Sequence, residues 1–363
     1  MLKKIKHNLD SKKNLLKDVT LVVLSKDRHK YLIGLLNYWK NTNISIIILD
    51  NTKKSLKFPV SSTKKINLIY IHCYKKSVFK RLNIATLKIK SKFTLLHHDD
   101  DLYFKSTIIK GVNFLLKNKD YSAVRGLEYS FNLDSKKNII GRLNKDISEA
   151  DSLNQSHFLD RKNKMIKKFR NGPLYSLTRT EIWIKSQSFL YTNKLSYYFV
   201  WEIFLGLAVI YFGKFKILNS PFLLRNNISV PQRYNDETTI PDNNLHTFLT
   251  NSTYKKKTDI YKNFFLLRKI NSKKINFLIN DMKLTLDFFL NKNYSNYKKP
   301  KKWKSFLRYY YYLKGILNFY LRKKIDQKNL DKILKEGFFS KKVNDKDKLE
   351  INEVINHIKK TFI

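Results

Sequence analysis

Apolar and polar positions fall into regular blocks over the first part of the chain. The run Val19-Thr-Leu-Val-Val-Leu-Ser25 predicts a buried strand. After Lys-Asp-Arg-His-Lys, residues Leu32, Leu35, Leu36 and Trp39 recur at the i, i+3, i+4, i+7 spacing of one helix face. A second apolar run, Ile44 to Asp50, completes a strand-helix-strand unit, and such crossovers are right-handed and join parallel strands. The pattern then repeats: strand Ile66 to Cys73, helix Ser77 to Ile89, short strand Phe93 to Leu96, helix Ser106 to Lys117, strand Tyr121 to Tyr129. Parallel strands end at a common edge, so Ser25, Asp50 and the residues that follow Leu96 are expected to face one crevice.

Periodicity weakens between Asn132 and Phe169, where a hairpin near Asn138 and then a mobile loop are expected. A turn and strand follow over Asn171 to Arg179, a helix from about Thr180 carries Trp183, and Leu195 to Phe212 forms an apolar helix that contains Glu202. Lys214 to Asn226 reads as strand, proline turn, strand. From about Asn251 the segments are helical with no strand signal. The expected fold class is α/β: a Rossmann-like open mixed sheet flanked by helices, with a C-terminal helical extension. The boundaries that follow are a basic N-terminal arm at 1–18, a domain at 19–226 with halves at 19–131 and 132–226, and a basic helical region at 227–363.

Composition adds limits. The 363 residues carry a formal net charge of +44, from 73 basic and 29 acidic side chains. Lys, Asn and Ile dominate throughout, as an A/T-biased coding sequence would produce, and that accounts for much of the charge. A field of this sign attracts any polyanion, nucleic acid or anionic lipid alike. The single cysteine, Cys73, cannot form an internal disulfide and fits a reducing cytosol. The first ten residues lack the apolar core of a secretory signal, and the longest apolar run, Phe199 to Phe212, is too short to span a bilayer. A cytoplasmic protein is expected, peripheral on the inner membrane face if Lys298 to Lys314, which interleaves Lys and Arg with Trp and Tyr, docks on anionic lipid. A solvated helical face and nucleic-acid stacking are the other readings of that stretch.

The most informative residues are Asp99, Asp100 and Asp101, which the short strand delivers to the crevice edge. Like charges this close repel unless a cation neutralises them, and a hard divalent ion, Mg²⁺ or Mn²⁺, takes oxygen ligands of this kind. A solvated helix start, with Asp101 or Ser106 as cap, is the alternative. Glu202 poses a similar choice: a carboxylate in an apolar helix is paired, solvent-facing, or placed for use. His97 and His98 flank the acidic run and read as packed residues or as supports behind the metal ligands, outside the metal set.

Taken in order, these motifs resemble the glycosyltransferases of the GT-A fold, in particular the family 2-like bacterial enzymes. Leu21-Val-Val-Leu-Ser-Lys-Asp-Arg looks like the family's first strand and Thr/Ser-Tyr-Asn-Arg turn, with Asp27 in place of Asn; Leu49-Asp50-Asn51-Thr52 is similar to its base- and ribose-binding segment. Arg81-Leu-Asn83 looks like its Ala-Arg-Asn segment, Asp99-Asp100-Asp101 like its Asp-X-Asp motif, and Trp201-Glu202 like its late acidic motif, usually Glu-Asp. The resemblance covers about 19–226 and implies a metal-dependent, inverting transfer of sugar from a nucleoside-diphosphate sugar, a UDP-sugar by family habit, to a glycan or lipid-linked acceptor. It implies Asp99 and Asp101 as metal ligands and Glu202 as general base. Ser25, Asp27, Arg28, Asp50, Arg81 and Asp100 would contact the donor. A nucleotidyltransferase would need a glycine-rich phosphate loop, and Ser25 to Lys30 holds no glycine. A nucleic-acid-binding protein would concentrate Arg, whereas here Lys predominates and no specific nucleic acid is expected.

Overall fold

The computed structural model describes residues 14–58, 63, 66–134, 136, 138–143, 152–167, 173–192, 198–228, 328–330, 334 and 345–362. All lie in one compact unit drawn from 1–240 and 328–363. Its centre is a ten-stranded mixed sheet. β1 (Val19–Ser25), β2 (Ser45–Asp50), β3 (Asn67–His72) and β4 (Phe93–His98) run parallel in the order β3-β2-β1-β4. α1 (His29–Trp39) joins β1 to β2, and α2 (Val78–Thr86) joins β3 to β4. β1, β2 and β4 read as near-continuous apolar runs because both of their faces are covered; Leu21, Val22, Val23, Ile46 and Ile48 are wholly buried. α1 turns Leu32, Leu35, Leu36 and Trp39 inward, as their spacing predicts.

Past β4 come β5 (Leu102–Tyr103), α3 (Lys105–Lys117), β6 (Tyr121–Leu133) and β7 (Ile139–Leu143), with β6 and β7 forming the expected hairpin. Asp134 shapes its turn, its Oδ1 accepting the N–H groups of Lys136 at 2.9 Å and Asn138 at 2.8 Å. α4 (Phe158–Lys167), β8 (Leu177–Arg179), α5 (Thr180–Thr192), α6 (Tyr198–Phe212) and β9 (Lys214–Asn226) follow. β8 sits antiparallel between β4 and β6, and this is where the sheet becomes mixed.

Five local expectations change. α4 occupies part of the stretch expected to be a mobile loop, and its buried Arg161 ties it to α6 by donating through Nε to the Ile210 carbonyl at 2.9 Å. β4 extends through His97 and His98 rather than ending at Leu96. β9 is one continuous strand, not two joined at a proline turn: Pro221 opposes Leu127 between register shifts, and such a bulge tolerates a residue with no N–H. Gly126 permits the close approach, since a Cβ there would lie 2.3 Å from the Ser220 carbonyl oxygen. The C-terminal part contains a strand, β10 (Lys328–Asn329), paired antiparallel to β7; two residues are too few to show a period-two pattern in sequence. The basic arm also contributes to the fold, because Asn14–Asp18 is a 3-10 helix with Leu16 buried.

α7 (Asp345–Phe362) packs on α1 and α3. Phe362 stacks on Tyr31 at 5.4 Å between ring centroids. Glu350 accepts the Ser106 N–H at 3.2 and 3.3 Å through its two oxygens, and so caps α3 from a distant helix. Neither Asp101 nor Ser106 performs that task. Among the described residues no helix is long and apolar enough to cross a membrane. Lys298 to Lys314 lie outside the described residues.

Candidate active site

The parallel register aligns Ser25 with Asp50 and Leu24 with His98, so three strand ends meet at one edge. The crevice there measures about 440 Å³ and is walled by Ser25, Arg28, Arg81, Arg225 and the stretch from His98 to Asp101. It lies at the C-terminal ends of parallel strands, where open α/β sheets bind ligands.

The first wall is the β1-α1 turn. Asp27 adopts a left-handed backbone, φ 53°, which Asp tolerates better than most residues. Its N–H donates to Thr52 Oγ1 at 2.7 Å, and that hydroxyl donates to Asp50 Oδ1 at 2.6 Å. Asp50 is wholly buried, and both its oxygens are engaged from within: Oδ1 by the Thr52 N–H and hydroxyl, Oδ2 by the Tyr70 hydroxyl at 2.8 Å and His29 Nε2 at 2.9 Å. Burial pushes its pKa up, but these bonds outweigh burial and hold it below the usual range. Tyr70 is pushed up to about 12, by burial first. Arg81, nearly fully buried, donates through Nη1 to the carbonyls of Ser25 at 3.1 Å and Leu49 at 3.2 Å, tying β1 to β2.

The acidic cluster divides into two groups. Asp99 accepts from Ser25 Oγ at 2.6 Å and from Arg28 Nη1 at 3.1 Å. Burial and the neighbouring Asp100 nonetheless push it up to about 7. Asp100 lies 2.7 Å from the same Arg28 nitrogen. Asp101 accepts the Asn226 N–H at 3.1 Å, and burial raises its pKa also. Ligand atoms of His98, Asp100 and Asp101 all lie within 4.8 Å of one another. One imidazole nitrogen and two carboxylate oxygens are donors of the kind a divalent cation takes, and drawing them in around an ion would relieve the repulsion between neighbouring carboxylates. Burial lowers the His98 pKa, which keeps its imidazole neutral.

Of the residues named from sequence, Ser25, Arg28, Arg81, Asp99, Asp100 and Asp101 line the crevice. Asp50 and Asp27 are not among the residues that line it. Glu202 is half-buried on α6 and is not among the crevice-lining residues. Its neighbour Trp201 donates to Gln187 Oε1 at 3.2 Å and meets Phe79 of α2 edge-on at 6.3 Å, next to the crevice residue Val78. The metal pair named from sequence is Asp99 and Asp101; the geometry groups Asp101 with Asp100 and His98 instead.

Of the crevice residues that were not assigned from sequence, His98 and Arg225 carry the chemistry. Strand alternation places His97 and His98 on opposite faces, which could have separated them. His97 packs between Trp39 and Tyr103, at ring distances of 6.2 and 4.8 Å, whereas His98 meets Tyr175. Arg225 arrives at the end of β9 with no local signal. Glu128, wholly buried, holds it through Arg225 Nε at 2.7 Å and is itself paired with Arg125 at 3.0 Å. Arg225 also stacks on Tyr175 at 4.5 Å. Burial lowers its pKa, but Glu128 and Asp101 outweigh that and hold it above the ordinary value, so it is a fixed cation.

No protein-family model and no curated protein matches the sequence. Solved structures do. Residues 1–349 of TarS from S. aureus, in complex with UDP-GlcNAc, match with a TM-score of 0.50 at 11% identity over 79% of this chain and 77% of that one. The same protein in complex with UDP matches with a TM-score of 0.49 at 12% identity over 79% and 76%. TarS is a GT-A-type glycosyltransferase. This chain has a GT-A-type fold. Its mixed sheet, with an acidic turn after β4, agrees with the resemblance read from sequence.

Proposed function

We propose that this chain is a glycosyltransferase that moves a sugar from a nucleoside diphosphate to an acceptor hydroxyl. The observation that carries the reading is a pair of carboxylates, Asp100 and Asp101, ringed by Arg28, Arg81 and Arg225 at the edge of a GT-A sheet. That is a seat for a divalent ion beside a seat for a diphosphate. The UDP-GlcNAc in the TarS structure agrees with this substrate class. Asp100 and Asp101 would hold Mn²⁺ or Mg²⁺, which as a Lewis acid stabilises charge on the departing diphosphate.

The chain's own groups set the rest. Arg225, fixed by Glu128 and Tyr175, supplies a positive charge that needs no reorganisation as the leaving group becomes anionic. Arg28 supplies a second once it leaves the carboxylates. Ser25 and Arg81 hold the strand ends that shape the floor. Glu202 is proposed as the base that takes the acceptor proton, opposite the leaving group, which gives inversion at the anomeric carbon. A glycan or lipid-linked acceptor is proposed, at a cytoplasmic membrane surface.

The test is thermal unfolding in a panel of sugar nucleotides, each with and without Mn²⁺. A ligand that binds only the folded state raises the melting temperature by mass action, by about 2.7 kcal/mol of stability at a hundred times its Kd. At least one nucleoside-diphosphate sugar is expected to stabilise the chain, more so with metal. If the whole panel leaves the melting curve unmoved in both conditions, the proposal fails.

A further inference from the structure

The position of His98 carries an inference that rests on the proposed metal-dependent reading and deepens it. Asp99 is held on both of its oxygens, by Ser25 Oγ at 2.6 Å and by Arg28 Nη1 at 3.1 Å, whereas Asp100 Oδ2 shares that Arg28 nitrogen at 2.7 Å and would release it to take a metal. Among the described residues, none makes such a hydrogen bond with His98 Nδ1. That nitrogen lies 3.6 Å from Asp101 Oδ2, too long for a hydrogen bond. Two adjacent ligands at about 2.1 Å from one first-row ion stand roughly 3.0 to 3.6 Å apart, so this pair suits a shared cation, and the three ligand atoms, within 4.8 Å of one another, would draw together on binding it. The ring's orientation is held from its other side. Its Nε2 is 3.2 Å from the Tyr175 hydroxyl, and the two rings meet edge-on at 87° with centroids 5.1 Å apart. Histidine ligands are typically fixed by a hydrogen bond to the nitrogen that does not face the metal. Tyr175 is in turn held under Arg225 at 4.5 Å.

We infer that the metal is held by His98 Nδ1 together with Asp100 and Asp101, and that Asp99 is a positioning residue for Ser25 and Arg28. With Nδ1 as the lone-pair atom, Nε2 carries the proton and donates to Tyr175. A nitrogen in the set changes which ion is preferred. Mg²⁺ seeks oxygen ligands, whereas imidazole favours first-row transition ions in the order Co²⁺ over Mn²⁺. The site therefore selects Co²⁺ and Mn²⁺ over Mg²⁺.

The test is metal binding by the full chain, in calorimetry and pulsed EPR, with UDP present and absent. Wild-type protein loaded with Mn²⁺ is expected to show the hyperfine coupling of an imidazole nitrogen. His98→Phe, which keeps a ring against Tyr175, should lose that coupling and at least about tenfold in Mn²⁺ affinity, while Mg²⁺ affinity changes far less. Asp99→Asn should keep Mn²⁺ affinity within about threefold, because Asp99 is not a ligand. Bound Mn²⁺ without nitrogen coupling in the wild type overturns the inference and leaves an all-carboxylate seat. That measurement decides even if His98→Phe does not fold. No Mn²⁺ binding in either condition overturns the inference and metal dependence together; UDP binding in the same titration then shows whether the nucleotide reading stands alone.

Discussion

Glu202 shows what a single residue can be read for and what it cannot. A carboxylate in the apolar run Phe199-Val-Trp-Glu-Ile-Phe-Leu is conspicuous in sequence, and the structure leaves it half-buried on α6 beside a tryptophan that touches α2. A carboxylate at that position is the residue proposed to accept the acceptor hydroxyl's proton. Glu202→Gln keeps size and most hydrogen bonding but cannot take the proton. Donor binding is expected to survive in calorimetry while transfer falls by about 10²-fold or more. Transfer at the wild-type rate would remove Glu202 from the mechanism. Asp50 is the contrast. It was equally legible as a strand-end acid, yet its oxygens are already taken by Thr52, Tyr70 and His29. Sequence marks where a carboxylate will lie, but only the folded neighbours decide whether its lone pairs remain available.

The parallel half of the sheet was legible as elements because each strand is a buried apolar run and each helix repeats its face. The elements that escaped are held from afar: β10 by β7, the bulged β9 by β6, and the cap of α3 by Glu350. No local pattern encodes them. α7 makes a prediction of its own. His357 packs on Tyr38 at 5.2 Å and is held down to about 4, by burial first and then by Lys105 and Lys360. Below the unfolded value of 6.5 the unfolded chain takes up a proton that the folded chain does not. Stability from this group is therefore present above pH 6.5 and is lost as pH falls toward 4, by at most about 3 kcal/mol. Burial shifts Glu350 the other way, upward, so its contribution improves with acid. Urea unfolding followed from pH 7 to 4 should show less acid loss in His357→Asn and more in Glu350→Gln. Identical pH profiles for both variants and wild type would show that α7 does not carry this linkage.

At the scale of the whole molecule, the net charge of +44 is the property that the site does not use up. The crevice cations Arg28 and Arg225 are paired with Asp99, Asp100 and Glu128, so the excess lies elsewhere, mostly on lysines. A Lys near an anionic bilayer contributes about 1 kcal/mol, and the effect decays within a Debye length, about 8 Å at physiological salt. The stretch Lys298 to Lys314 adds Trp303 and Tyr309 to Tyr312, residues that suit the headgroup level. If the proposed acceptor is lipid-linked, docking through such a surface would hold the chain in the plane where that acceptor is concentrated. The full chain is expected to sediment with vesicles containing phosphatidylserine at low salt and to be released as salt rises. Replacing Lys298, Lys299, Lys301, Lys302 and Lys304 together by Ala should weaken that binding by about 10²-fold or more, if those lysines lie at the surface contributing about 1 kcal/mol each. Binding to neutral vesicles that is as strong, and insensitive to salt, would mean that apolar insertion rather than charge holds the protein to lipid. Binding to anionic vesicles that the five-lysine variant retains in full would move the contact to another face of this basic chain.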